Sequence, residues 1–251
     1  MRETDFISGF AKGLSVIEAF DEAQPRLSIS DVSKTTGLDR ATARRCLLTL
    51  AELGYADYDG KFFALTPKIL RLGHAYLAAT PLPALVQPTL DQLSERTGQS
   101  ASVSVLDGTD IVYIARASQK RVMSINLTPG SRLPAYCASM GRVLLAALPE
   151  EDVRAILARS DLKANTPRTL TEPGVIIAEL RRVRTQGYAL IDQELELGLC
   201  SIAVPLENDR GRIVAALNIG APAASVPAAT LLELYLPILR EAQIALKQVL
   251  R

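Results

Sequence analysis

LSISDVSKTTGLDRATARRCLLTLAELGYA, residues 27–56, decides the fold of the N-terminal part. Ser30-Asp31-Val32 starts a short helix and supplies an N-cap candidate, Thr36-Gly37-Leu38 can turn the chain, and Asp39 can cap a second helix running to about Leu53. This is helix-turn-helix spacing. Steps of 100° place Ala43, Cys46, Leu47, Leu50 and Leu53 on one stripe of the second helix, with Arg40, Thr42, Arg44, Arg45 and Thr49 elsewhere. Arginine forks onto guanine edges or phosphate oxygens, and threonine bonds phosphate or touches a thymine methyl, so the free face has major-groove chemistry. Alone, such a helix is read as amphipathic, with arginines merely solvating its outer face. The segment after Gly54 changes the balance. Tyr55-Ala56-Asp57-Tyr58 and Lys61-Phe62-Phe63-Ala64-Leu65 flank Asp59-Gly60, a tight-hairpin dipeptide, which predicts a wing carrying Lys61 beside the recognition helix.

Working outward, PKILRLGHAYLAATP (67–81) reads as one linker helix, with Ile69, Leu72, Ala75, Tyr76 and Ala79 near one face and His74 on its surface or at an interface. From residue 82 the texture is mixed. A helix over about 84–97 stops at Gly98, and β-rich runs at 101–106 and 111–116 flank Asp107-Gly108. An apolar stretch, Val122 to Leu127, precedes Pro129-Gly130. Helices are predicted at 139–148, at 150–158 with three acidic residues in the first turn, and at 175–186 ending at Gly187. Strands at 188–192, 200–206 and 212–219 complete a sheet, and a closing helix over 226–250 bends at Pro237.

Composition limits the alternatives. The 251 residues are 48 % hydrophobic and 22 % charged, as in an ordered globular chain. With 28 Lys+Arg against 27 Asp+Glu, no bulk field advertises nucleic acid or membrane, so a DNA contact must come from a local patch. Three separated cysteines, Cys46, Cys137 and Cys200, form neither a disulfide framework nor a CxxC site. One histidine leaves little for general-base or metal chemistry. No signal peptide or membrane span is read, and the expectation is a cytoplasmic protein without metal or cofactor.

The chain resembles the IclR-type transcriptional regulators through KGLSVIEAF (12–20), residues 27–56, LTPKILRLG (65–73), LPAYCASMGRVLLAAL (133–148), GYALIDQELELGLCSIAVPL (187–206) and GRIVAALNIGAP (211–222). SVSVLDGTDIVYIAR and RLPAYCASMGRVLLA are most similar to the branch controlling protocatechuate, 4-hydroxybenzoate and β-ketoadipate catabolism. The resemblance implies an α+β chain: a winged helix-turn-helix (8–66), a linker helix (67–81) and a GAF-like α/β effector-binding domain (82–251). It further implies an activator working on operator DNA as a homodimer or dimer of dimers, and a small carboxylate effector.

Effector contacts implied by the resemblance are Ser139, Met140, Gly141, Asp192, Ser201, Asn218 and Gly220. The helix start at Ser139 offers free N–H groups to a carboxylate, with Gly141 permitting close approach; a plain cap by Ser139 is the alternative. Asn218 interrupts an apolar strand, and a buried amide needs partners. Asp192 and Glu194 read equally as a solvated acidic turn. A sensor enzyme using the thiolate of Cys137 or Cys200 is the competing class, and a pure oligomerisation module a third.

Overall fold

The computed structural model of the protein describes residues 6–21, 23–118 and 127–250; the apolar stretch expected at 122–126 lies outside them. The chain forms two compact units, Met1–Thr80 and Pro81–Arg251.

In the first unit, α1 (Ser8–Glu18), β1 (Arg26–Leu27), α2 (Ile29–Thr36) and α3 (Arg40–Glu52) precede β2 (Ala56–Tyr58) and β3 (Phe63–Leu65). The three strands pair in the antiparallel order β1-β3-β2. Val16, Leu27, Val32, Ala43, Leu47, Leu50 and Phe63 close one small core. The cap of α2 is Ser28 rather than Ser30. Its hydroxyl accepts from the Asp31 N–H while the Asp31 carboxylate accepts from the Ser28 N–H, a reciprocal capping box. Gly37 turns the chain at φ +71°, and Asp39 caps α3 by accepting from the Thr42 N–H. The hairpin is wider than Asp59-Gly60 alone, because Tyr58 pairs with Phe63 and leaves residues 59–62 as the loop. Asp59 sets this width: its carboxylate accepts from the backbone N–H groups of Lys61 and Phe62, which holds its pKa below the ordinary carboxylate value.

A 3-10 turn at Pro67–Ile69 leads into α4 (Leu70–Ala79), so the linker is a turn plus a shorter helix. None of its described side chains is buried; Leu70, Leu72 and Tyr76 are 70, 49 and 47 % exposed.

The second unit opens with α5 (Leu82–Thr97), ended by Gly98 at φ +64°. There follow β4 (Ser100–Asp107), β5 (Asp110–Ala117), β6 (Arg132–Pro134), a 3-10 turn at Ala135–Cys137, α6 (Ser139–Ala146), α7 (Glu150–Arg159) and α8 (Pro173–Gln186). The remainder is β7 (Ala189–Asp192), β8 (Leu199–Glu207), β9 (Ile213–Pro222), α9 (Ala228–Thr230) and α10 (Leu236–Lys247). The six strands form one antiparallel sheet in the order β6-β5-β4-β9-β8-β7. Helices α6, α7 and α8 supply the core on one face, α5 and α10 that on the other. The closing helix is interrupted by a π turn at Leu231–Tyr235, immediately before Pro237. A proline N–H is missing from the ladder there, and widening the preceding turn absorbs the defect.

Helix α6 sits unusually close to the chain before it. A Cβ added at Gly141 would lie 2.1 Å from the Ala135 carbonyl oxygen and 2.4 Å from its Cα. These are backbone atoms, which cannot rotate away. Gly141→Ala is therefore expected to lower stability by about 3 kcal/mol, checked by urea denaturation monitored by circular dichroism.

Candidate functional site

The first candidate surface is α3. Arg40, Arg44, Arg45 and Thr49 are exposed, and so is Lys61 on the wing loop. Among the described residues, none of the three arginines has a carboxylate partner. Thr42 is a correction: it is 8 % exposed and lines the groove between α1 and α3 with Gly9 and Lys12, so it cannot reach a groove edge. Leu53, assigned to the inward stripe, is instead 53 % exposed as the helix C-cap. There its carbonyl accepts from Lys68 Nζ at 2.6 Å. At the wing, Lys61 Nζ lies 5.0 Å from the Phe62 ring centroid, and Arg26 pairs with Asp59.

The second candidate is a pocket between the sheet and the start of α6. Ser139, Met140, Ser201, Asn218 and Gly220 all line it, as do Ser100, Tyr113, Arg116, Leu127, Leu133, Ala138, Leu195 and Leu199. The hydroxyl of Ser201 donates to that of Ser139 at 2.9 Å, and no side chain caps α6, so Ser139 is not a plain cap.

Two expected contacts fall elsewhere. Gly141 is small to admit the Ala135 backbone, not a ligand. Asp192 stands at the end of β7, ion-paired with Arg168 and accepting from Gln193 Nε2 at 3.0 Å and Cys200 Sγ at 3.2 Å. These bonds depress its pKa. Nor is the acidic turn solvated at Glu194. That carboxylate is buried, accepting from Arg142 Nη1 at 2.7 Å, Arg142 Nη2 at 2.6 Å and the Leu170 N–H at 3.1 Å.

Arg116 is the residue the sequence did not point to. Simple alternation along β5 places Tyr113 and Arg116 on opposite faces. The pairing of β4 with β5 shifts between Val103 and Ser104: Ala115 opposes Val103, whereas Tyr113 opposes Ser104, leaving Ile114 as the extra residue of a bulge. The bulge reverses the parity, and Arg116, opposite Ser102, joins Tyr113 at the pocket. Its Nη1 donates to Ser102 Oγ at 2.9 Å and its Nη2 to Ser100 Oγ at 3.2 Å. Among the described residues no carboxylate meets this half-buried guanidinium, and burial lowers its pKa from the ordinary value. Tyr113 is also buried, which pushes its phenol up to about 12 and keeps it neutral.

The thiols do not line the pocket. Cys137 lies in the core beneath α6, with burial pushing it up to about 11, and Cys200 faces the opposite core, with burial and the Asp192 carboxylate pushing it up to about 12. Neither is a thiolate near neutrality. Among the described residues no group of three His, Cys, Asp or Glu could hold a metal, and no helix is long and apolar enough to cross a membrane.

The family model for the IclR helix-turn-helix domain matches residues 10–60, and that for the bacterial transcriptional regulator IclR C-terminal domain matches 74–247. The chain belongs to the IclR family of bacterial transcriptional regulators. The Pca regulon regulatory protein of Pseudomonas putida is 48 % identical to it over 94 % of this chain and 82 % of the relative. A transcriptional regulator of Rhodococcus sp. RHA1 superposes with a TM-score of 0.82 at 45 % identity, covering 97 % of this chain and 98 % of that one. A double mutant of the PobR inducer-binding domain from Acinetobacter, solved with 3-hydroxybenzoic acid, superposes with a TM-score of 0.63 at 34 % identity, over 66 % of this chain and 97 % of that one. These IclR-family relatives are regulators, not enzymes, and the buried thiols agree with that. At pH 8, iodoacetamide is expected to label native protein only at the half-buried Cys46, with Cys137 and Cys200 reacting after denaturation. Peptide mass spectrometry of the alkylated sites checks this.

Proposed function

We propose that this IclR-family protein reads a two-fold operator as a homodimer or dimer of dimers, through Arg40, Arg44, Arg45, Thr49 and Lys61. A small carboxylate from aromatic catabolism, such as protocatechuate, 4-hydroxybenzoate or β-ketoadipate, controls it from the pocket under α6. The single observation that carries the effector reading is Arg116, a half-buried guanidinium facing the pocket with no acid to neutralise it among the described residues. A desolvated cation of this kind favours an anionic partner, and its two serine contacts fix the fork without neutralising its charge. The relatives support the same reading: one bears the name of the Pca regulon, another was solved with a hydroxybenzoic acid. Charge thus enters from the sheet side, at β5, rather than at the α6 helix start. Control is binding linkage: an acid that prefers one arrangement of the protein shifts the population competent for DNA or polymerase. A cytoplasmic setting follows from DNA as the partner. The exposed Leu70, Leu72 and Tyr76 of α4 favour its role in pairing two chains, which doubles a short half-site.

Two measurements test this. Arg44→Ala and Arg45→Ala are expected to weaken operator binding by about 1 to 3 kcal/mol where a base contact is lost, and to flatten the salt slope by about one where a phosphate contact is lost. Unchanged affinity across a salt titration in both variants sinks the DNA assignment. Arg116→Met should weaken binding of those acids about ten- to a hundredfold, by isothermal titration, while the ligand-free protein keeps its thermal midpoint. Acids that bind the variant as tightly as the parent place the carboxylate elsewhere.

A further inference from the structure

We infer that Thr66 and Lys68 are positioning residues for DNA reading: they fasten the C-terminal end of the recognition helix to the first turn of the linker, so that base discrimination depends on a turn that makes no base contact itself. The inference rests on the DNA face proposed for α3 and adds what holds that face at its angle.

An α-helix leaves its last carbonyls without intrahelical donors. At the end of α3, Gly54 at φ +73° lets the chain double back, and the Tyr55 and Gly54 N–H groups donate to the Leu50 and Ala51 carbonyls at 2.8 and 2.9 Å, a Schellman closure. The three consecutive carbonyls that follow, those of Leu53, Gly54 and Tyr55, are all met from residues 66–68. Lys68 Nζ donates to the first at 2.6 Å, Thr66 Oγ1 to the second at 2.7 Å and the Thr66 N–H to the third at 2.9 Å. The Thr66 hydroxyl serves both elements, since it also accepts from the Lys68 N–H at 3.3 Å and so caps the Pro67–Ile69 turn.

Lys68 is exposed, and an exposed lysine ordinarily leaves its ammonium in water. Here the ammonium is turned back on the chain, 4.9 Å from the Tyr55 ring centroid and at the negative end of the α3 dipole. Bonds on a solvated surface add little to global stability, because water competes for each carbonyl. What they fix is direction. α3 has 13 residues, a length of about 20 Å, so a tilt of about 5° at its Leu53 end carries Arg40 through about 2 Å. A forked base contact tolerates a displacement of about 0.5 Å. Phosphate contacts through long side chains absorb such a tilt, and base contacts do not.

The test uses the full chain, an operator that the parent selects from random duplex DNA, and a scrambled duplex of the same composition. Lys68→Met keeps the aliphatic stem beside Tyr55 and removes the donor; Thr66→Val keeps the shape and removes the hydroxyl. Each is expected to lower the ratio of operator to scrambled affinity about fivefold or more, while the affinity for scrambled duplex, its salt slope and the thermal midpoint stay at the parent's values. Lys68→Arg, which restores a donor, should return the ratio to within about twofold of the parent's. A merely stabilising role lowers the midpoint and leaves the ratio alone, and a phosphate contact weakens both duplexes together and flattens the salt slope by about one. Either result overturns the proposal, as does a lost ratio that Lys68→Arg does not recover. If Lys68→Met lowers the midpoint, Thr66→Val, measured below both midpoints, decides. A parent that selects no sequence overturns the DNA face of α3 and this proposal with it, whereas a parent and variants that discriminate equally overturn only the role of Thr66 and Lys68.

Discussion

Arg142 carries a full positive charge into the interior of the second unit, and the surrounding segments are arranged by the requirement that it be met. Its side chain is 2 % exposed and that of Glu194 is 11 % exposed. The guanidinium donates twice to Glu194 and once, through Nε, to the Tyr136 carbonyl at 3.0 Å. Desolvating both ions cancels much of their attraction, so the intact pair is a poor argument for stability. Its consequence is positional: a departure of either partner would strand a charge. The pair therefore fixes α6, the turn before it and the segment after β7 as one assembly. Thr169 Oγ1 donates to the Glu194 carbonyl at 2.5 Å and Thr166 Oγ1 to that of Gln193 at 2.7 Å, so the chain at 166–170 is drawn into it. Gln193, at φ +61°, is the one non-glycine residue with positive φ among the described residues, and its strained backbone is held by this network. Leu195, one residue beyond Glu194, then forms part of the pocket wall.

The helix-turn-helix was legible because its signals are local. Glycine at the turn, aspartate at the head of α3 and the stripe of Ala43, Leu47 and Leu50 each act within four residues, and they agree. Errors arose where a local signal had a competitor or where another element intervened. Ser28 and Ser30 both suit a cap, but only Ser28 stands three residues before an acid that can return the bond. Thr42 looked free on a wheel of α3 alone; α1 covers it, which no periodicity within α3 could reveal.

The pocket was half legible for a different reason. Ser139, Met140, Ser201, Asn218 and Gly220 entered through family likeness, and they converge. Asp192 did not, because its place at the end of β7 gives it Arg168 and Cys200 as neighbours. Arg116 was invisible to a period-two reading, since one unpaired residue at Ile114 exchanges the faces beyond it. A bulge leaves little trace in a single sequence, yet it brings the cation to the pocket. Glu194 was misread by the opposite error: acidic residues near a turn suggest solvent, and only the long-range approach of Arg142 takes the carboxylate inside.

The linker helix has a thermodynamic consequence of its own. Ten residues are too few to hold a helix in water by hydrogen bonding alone, because the cost of nucleation is recovered over too short a length. Tertiary burial usually supplies the difference, and no described side chain of Leu70–Ala79 is buried within this chain. Within one chain, the segment joining the DNA-reading unit to the sensing unit thus lacks the burial that ordinarily holds so short a helix together. Whatever surface it meets sets its stiffness, and with it how much torque rather than slack passes from one unit to the other.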